Sequence, residues 1–504
     1  RDSHDSICYS KKKETHRRGE MVGPTYDCLT NPLGAVRSTF DKAMATPSAL
    51  DGKDWGAAHL FRHFLSDPSQ VPLINRKSMA RVPARVLVRF RGMIQDMLGN
   101  EFYVGAYKDG AVWRTNKYSD LSQFPMGTLP DDSMRIWERR LLLCVPVPGL
   151  SPWAEEASDE AVDRYLELMS HQKEKRSRMD IQATEGSAEH LEDLPRAKKM
   201  REGDNDPSFL PSSSMCSKAG VASSCAPPDV CPDSFSCLVK VYDTPESDLK
   251  LNEVFEFIGV LAFDSEFTPE DGTNDEHDDD MLVHLPSIKV PRLHCIVHRK
   301  LAISDFLTYS PATEPKLHTI KEIRETLLRQ LTSVLGNDGL AAHFMLLHLL
   351  SKVYTGANIG KLALNLTGFN KESVSVFGSQ LHATLESLLP FRSSIQLTME
   401  YLNTASLVPK KDYEANRLMP GVLQLAESSH IIVDETHLEA GTLGSIGIEN
   451  AKALKYLVEF QKVEYDFVYY KMEMAANVQV LVLSEAKSNI SPADVVLPFQ
   501  PTCG

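Results

Sequence analysis

"HIIVDETHLEAG", residues 430–441, decides how this chain is read. Two isoleucines and a valine run without a break into Asp434-Glu435. An unbroken apolar run of this kind marks a strand buried on both faces, as in a parallel sheet flanked by helices. In P-loop nucleotide hydrolases a buried strand ends in such a pair, which holds magnesium and polarises the attacking water. The question is whether the rest of a nucleotide site surrounds it.

The neighbouring sequence supplies the sheet. "GKLALNLTG" (360–368), "SSIQLTME" (393–400), "GVLQLAES" (421–428), "SHIIVDET" (429–436) and "NVQVLVLSE" (477–485) read as strands. "GSQLHATLESLLP" (378–390) and "IENAKALKYLVEFQ" (448–461) read as helices between them. This alternation predicts a central α/β sheet. A helical pair over residues 316–355 precedes it, broken at Gly336-Asn337 and restarted by a cap at Asp338.

The phosphate cradle is another matter. A working P-loop reads G-x-x-x-x-G-K-[ST]: backbone N–H groups wrap the phosphates, the lysine reaches the terminal ones, and the hydroxyl binds magnesium. Here the first strand runs into "TGFNKESVSVFGSQ" (367–380). Gly368 stands three residues before Lys371, Asn370 directly precedes it, Glu372 occupies the hydroxyl position, and Ser373 comes one place late. Such a loop is too short to wrap phosphate and sets a negative charge beside it. Gly368, Lys371 and Ser373 therefore read as a degenerate P-loop. Asp434 and Glu435 read as a strand-end remnant that bonds nearby N–H groups. No cofactor and no enzymatic activity are expected.

Upstream, "NPLGAVRSTF" from Asn31 and "DWGAAHLFRHFL" from Asp54 read as short amphipathic helices capped by Asn31 and Asp54. "ARVLVRFRGMIQDMLGNEFYVGAY" (84–107) and "RRLLLCVPVPG" (139–149) read as strands, with Gly99-Asn100 as a hairpin turn. "VRFRGMIQDM" (88–97) and "FEFIGVLAFD" (255–264) share a Phe-x-Gly pattern, and both read as elements of OB-like barrels. His294 and His298 share one strand face but lack a third ligand nearby, so no metal is expected.

The expected fold class is α+β multidomain: OB-like β-barrel elements followed by a C-terminal α/β domain. Residues 1–20 read as a disordered upstream extension with Met21 as candidate initiator, 21–79 as an N-terminal helical region, and 80–150 as a β-rich, OB-like domain. Residues 151–236 read as a solvated helix and then a Ser/Pro-rich disordered linker. Residues 237–310 read as a second OB-like barrel interrupted by an acidic loop at 264–280, and 311–501 as the helical segment and α/β domain.

Composition narrows the partners. The net charge of −14 is concentrated in 264–280, which holds nine carboxylates and no lysine or arginine. A protein that clamps DNA with its whole surface would be basic. Phe90, Phe102, Tyr103, Tyr107 and Trp113 near Arg85, Arg89 and Arg91 would suit single-stranded DNA. Strand alternation makes several of them core, so direct DNA binding is not expected. Cys216, Cys225, Cys231 and Cys237 lack zinc-ligand spacing, and the cysteine pattern fits a reducing compartment. No apolar run reaches membrane-span length, and no membrane partner is expected. Two basic clusters lie in the linker: Lys173, Lys175, Arg176, Arg178, and Arg196, Lys198, Lys199, Arg201. They suit an import receptor and predict a nuclear location.

Read in order, "NPLGAVRSTF", "VRFRGMIQDMLGNEFYVGAY", "WERRLLLCVPVPG", "CLVKVYD", "LKLNEVFEFIGVL", "VPRLHCIVHRKL", "KKDYEANRLMPGVLQL", "IIVDETHLEAGTL" and "QKVEYDF" resemble the MCM-binding protein family over nearly the whole chain. The resemblance implies a divergent relative of the MCM helicase subunits, in which an OB-type domain precedes an AAA+ ATPase domain. It makes the C-terminal domain a degenerate AAA+-like one lacking a working P-loop. Ser484-Glu485 stands where MCM proteins carry a sensor asparagine, and the arginine-finger motif is missing. What the resemblance implies is a nuclear partner of MCM helicase subunits that reaches chromatin through them. It would support assembly and stability of the MCM complex, promote its release from chromatin in late S phase, and serve replication and sister-chromatid cohesion. The alternatives are an active AAA+ ATPase with an aberrant P-loop, and an OB-fold binder of single-stranded DNA.

Overall fold

A computed structural model describes residues 28–44, 50, 54–120, 133–155, 162–167, 235–263, 290–307, 317–352 and 360–502. The extension 1–20, the acidic loop 264–280, the three cysteines Cys216, Cys225 and Cys231, and both basic clusters lie outside the described residues. The chain divides into two compact units, Arg1–Pro146 with Ser236–Leu301, and Val147–Phe235 with Ala302–Gly504. The architecture is mixed α and β.

The first unit contains strands β1 (Leu87–Asp109), β2 (Val112–Thr115), β3 (Met134–Val145), β4 (Cys237–Val241), β5 (Val254–Ala262) and β6 (Arg292–Lys300). They lie in the order β2-β1-β3-β4-β6-β5, and β1 also pairs with β5, so the sheet closes on itself. The sequence predicts separate β domains at 80–150 and 237–310; the strands of both segments instead belong to one ring. β3 pairs with β4 from Arg140↔Val241 to Cys144↔Cys237, and β1 pairs with β5 from Leu87↔Val260 to Met93↔Val254. The physical reason is edge satisfaction. A lone β1–β3 hairpin leaves unpaired N–H and C=O rows on both outer sides, and the second segment takes them up. The shared Phe-x-Gly pattern has a new meaning: the two motifs are antiparallel partners centred on Phe90↔Phe257.

Gly99 does not make a hairpin turn. β1 continues through it at φ +96, with a register shift between Met97 and Gly99, so the glycine forms a bulge that bends the long strand. The turn comes later, at Gly110 (φ +64). Gly259 is needed for close approach, since a Cβ there would stand 2.1 Å from the His294 carbonyl oxygen.

The N-terminal segment covers this sheet. Asn31 Oδ1 accepts the Gly34 N–H at 3.1 Å and Pro32 opens helix α1 (Pro32–Ala43), as its sequence predicts. Asp54 Oδ2 accepts the Ala58 N–H at 3.0 Å. Residues 72–74 add a bridge along β1, where the Arg89 N–H donates to Pro72 and the Ile74 N–H to Arg89. Both faces of β1 are thus buried near its start, and Arg89 lies inside the protein.

The second unit holds β7 (Leu364–Thr367), β8 (Arg392–Gln396), β9 (Lys410–Asp412), β10 (Arg417–Met419), β11 (His430–Asp434), β12 (Lys462–Asp466), β13 (Lys471–Ala475), β14 (Gln479–Ser484) and β15 (Val495–Pro498). Five of them form a parallel sheet in the order β15-β7-β14-β11-β8. Helices α2 (Leu317–Val334), α3 (Gly339–Leu350), α4 (Ser379–Leu388) and α5 (Ser445–Phe460) accompany it. Leu364, Leu366, Ile432, Leu481 and Leu483 of the sheet share one core with Leu331 of α2, Met345 of α3 and Leu381 of α4. Asp338 caps α3 by accepting the Ala341 N–H at 2.9 Å.

Three local readings change. "GVLQLAES" is a buried turn region: the Val422 and Leu423 N–H groups bond to Ser406 and Leu407 carbonyls. A short apolar run does not distinguish a strand from any other buried segment. The helical stretch 162–167 buries Val162 and Tyr165, so that part of the expected solvated helix is packed. A second sheet, β10-β9-β12-β13, built from two hairpins, was not foreseen. Among the described residues no helix is long and apolar enough to cross a membrane.

Candidate functional site

At the carboxyl edge of a parallel sheet the strand ends and following loops converge, and this is where ligands of α/β folds bind. Here that edge gathers the turn after β7, Asp434-Glu435 after β11, and Ser484-Glu485 after β14.

Asp434 is buried and turned onto its own chain. Its Oδ1 accepts the Thr436 N–H at 2.9 Å and the Thr436 hydroxyl at 2.6 Å. His437 Nδ1 lies 3.6 Å from Oδ2. Glu435 is tied to the neighbouring strand, its N–H donating to the Leu483 carbonyl at 2.8 Å and its Oε1 accepting from Ser488 Oγ at 2.7 Å. Burial raises its pKa, and the hydroxyl bond from Ser488 only partly offsets this.

The loop after β7 is closed where a P-loop is open. The Gly368 and Phe369 N–H groups donate to the Glu485 and Ser484 carbonyls, both at 3.0 Å. Gly368 makes the turn at φ +87. Phe369 is fully buried and stacks on Phe499, centroids 4.3 Å apart. Asn370 and Ser373 form a reciprocal cap: Asn370 Oδ1 accepts the Ser373 N–H at 2.8 Å, and Ser373 Oγ accepts the Asn370 N–H at 2.8 Å. Lys371 reaches outward to Glu439 Oε1 at 2.8 Å, and that hydrogen bond raises its pKa. The Gly368 and Phe369 amides, the Ser373 hydroxyl and the Lys371 ammonium therefore all have protein partners.

The sequence reading missed a buried polar cluster behind this edge. Asn365 Nδ2 donates to Ser484 Oγ at 2.7 Å, and Asn365 Oδ1 accepts the Ser488 N–H at 3.2 Å. Together with Ser488 and Glu435 this joins β7, β14 and the end of β11. The available signal was the asparagine itself, a polar residue inside "LALNL" that a buried strand tolerates only with partners.

The first unit carries a separate group of buried charges. Glu256 is fully buried among Arg89 (Nη1, 3.3 Å), Arg91 (Nε, 2.8 Å) and Arg299 (Nε, 3.1 Å). Two arginines counted toward a nucleic-acid face thus face a carboxylate, and Phe90 is in the core. Asp120 lies 2.6 Å from Arg139, 2.9 Å from Lys240 and 3.1 Å from His294. Burial opposes ionisation of Asp120, but His294, Lys240 and Arg139 hold its carboxyl far below the usual carboxylate range. His294 also bonds Tyr242 at 2.7 Å, while His298 bonds Thr244 at 3.1 Å, so the two histidines have separate partners. No group of three metal-ligating side chains occurs among the described residues.

A family model described as mini-chromosome maintenance replisome factor matches residues 61–503. The chain belongs to that family. A relative from Arabidopsis thaliana is 55% identical over 501 residues, covering 96% of this chain and 84% of its own length. Relatives from Salmo salar (34%, covering 95% and 81%) and Homo sapiens (31%, covering 94% and 81%) match over similar spans. All three are called mini-chromosome maintenance complex-binding protein. The replisome-factor match covers both compact units, so membership applies to the closed β ring and the parallel sheet alike.

Proposed function

We propose that the chain binds subunits of the mini-chromosome maintenance complex as a stand-in neighbour that carries no nucleotide. The names of its relatives support the partner. Strand order supports the mimicry. Ranked along the chain, the parallel sheet runs 5-1-4-3-2 with the cradle turn after strand 1 and Asp-Glu after strand 3, the order of an AAA+ core. The closed ring leaves out β2, which pairs only with β1; its five strands ranked likewise run 1-2-3-5-4 with strands 3 and 5 parallel, the connectivity of an OB barrel.

The observation that carries the reading is the closed turn at Gly368–Phe369, with its amides bonded to β14 and its phenyl ring in the core. A subunit interface normally bridged by nucleotide would lack that bridge, so this neighbour can be exchanged. In this reading the chain acts in the nucleus, supports assembly and stability of the complex, and favours its release from chromatin late in S phase, with effects on replication and sister-chromatid cohesion.

The test is capture of the purified complex by the full chain. Binding is expected to survive Asp434→Ala with Glu435→Ala, and a fluorescent ATP analogue is expected not to bind at micromolar levels. ATP hydrolysis that stops in a Lys371→Ala variant would overturn the reading.

A further inference from the structure

In the second unit, β12 and β13 are joined by a turn at Phe467–Tyr470 that is unusual in two ways. Its side chains are apolar and exposed: Val468 at 56%, Tyr469 at 83% and Tyr470 at 58%. Its backbone is also forced. Val468, a β-branched residue, sits at φ +63, and the Tyr469 N–H donates back to the Phe467 carbonyl at 2.6 Å, closing a strained γ-turn.

The surroundings hold that conformation. The Val468 N–H donates to Asp466 Oδ1 at 2.8 Å, and the Tyr413 hydroxyl donates to the Phe467 carbonyl at 2.9 Å. Phe467 stacks on Tyr470 at 5.0 Å, and Tyr413 packs against Tyr469 at 5.4 Å. A cavity of about 450 Å³, lined by Lys410, Tyr413, Met419 and Val468 among others, adjoins the turn. Exposed rings already fixed in place lose little freedom on docking, the property of an interface anchor.

Charge identifies the partner's chemistry. Residues 410–419 and 462–475 hold five basic and five acidic side chains. Lys462 lies 2.6 Å from Glu473, Lys471 3.4 Å from Glu464 and Lys410 4.0 Å from Asp466, while Lys411 donates to the Asn416 carbonyl. A phosphate backbone would meet as much negative charge as positive. The complementary surface is an uncharged, apolar pocket on a protein.

Resting on the function proposed above, we infer that the Val468–Tyr470 turn, with Tyr413 and Met419 beside it, is an anchor that inserts into an apolar pocket of a mini-chromosome maintenance subunit. The test uses the full chain against the immobilised purified complex, with far-UV circular dichroism and thermal unfolding as fold controls. Tyr469→Ser with Tyr470→Ser is expected to weaken binding roughly 30-fold with the fold unchanged, and Phe at both positions to restore most of it. Wild-type affinity in the double serine variant overturns the inference and leaves the proposed function standing. Failure of the unmodified chain to bind overturns both. Binding of a single-stranded oligonucleotide that disappears in the serine variant also overturns the inference, because the turn would then be stacking on bases.

Discussion

Glu256→Gln is expected to destabilise the first unit by about 3–5 kcal/mol, the usual cost of removing one partner from a buried ion pair. The glutamate on β5 sits between Arg91 of β1 and Arg299 of β6, its direct cross-strand partners, and Arg89 reaches it from β1 as well. Arg91 and Arg299 retain some exposure and can turn toward water. Arg89 cannot, because it is buried and its Nε is held by the Val71 carbonyl at 2.9 Å. The glutamine keeps the volume and removes the charge, so the loss measures the guanidinium left behind. A domain of this size loses roughly 2–4 °C of Tm per kcal/mol, which makes the shift about 10 °C. Calorimetry or a denaturant titration checks it. Glu256→Met combined with Arg89→Met should cost less than Glu256→Met alone. An unchanged midpoint in Glu256→Gln would show that the carboxylate is not compensating buried charge.

The second unit should lose stability in mild acid. His348 on α3 and His430 at the start of β11 are both buried, with Nε2 atoms 2.9 Å apart. His348 Nδ1 lies 2.6 Å from the Leu362 carbonyl and so carries its proton there. Its Nε2 must then accept from His430, and both rings are neutral. Burial pushes the His348 pKa down to about 4, and burial followed by the neighbouring His348 lowers that of His430. An unfolded histidine titrates near 6.5. Between about pH 6.5 and pH 4 the unfolded chain therefore binds more protons than the folded one, and stability falls as pH falls. It is fully present above that window. For His348 alone the loss is about 2 kcal/mol at pH 5 and about 3 kcal/mol at pH 4. Urea midpoints at pH 7.5 and pH 5 measure it. His348→Leu with His430→Leu should flatten the dependence. An equally steep dependence in that variant would assign the acid sensitivity to other histidines.

Much of the local structure was legible. Asn31-Pro32, Gly336-Asn337 and Asp338 act through atoms within a few residues of themselves, and each does in the structure what its position suggests. The apolar runs at 431–433 and 480–483 are buried strands because their composition leaves no other stable placement. Gly99 is the opposite case: its sequence predicts a hairpin turn, and the structure makes it a bulge within β1. A positive-φ glycine serves a turn or a bulge equally well, and the cross-strand partners decide which.

The sequence by itself determined the family, the buried strands at 431–433 and 480–483, and the altered spacing around Lys371, since all of these are patterns of near neighbours. Only the tertiary structure decided that the two β segments close one ring, that Arg91 meets Glu256 from 165 positions away, and that the Gly368–Phe369 amides are bonded to β14. Those outcomes depend on unpaired backbone edges and buried charges finding partners across long chain separations. The free energy of such a pairing belongs to both partners at once, and neither local stretch carries it alone.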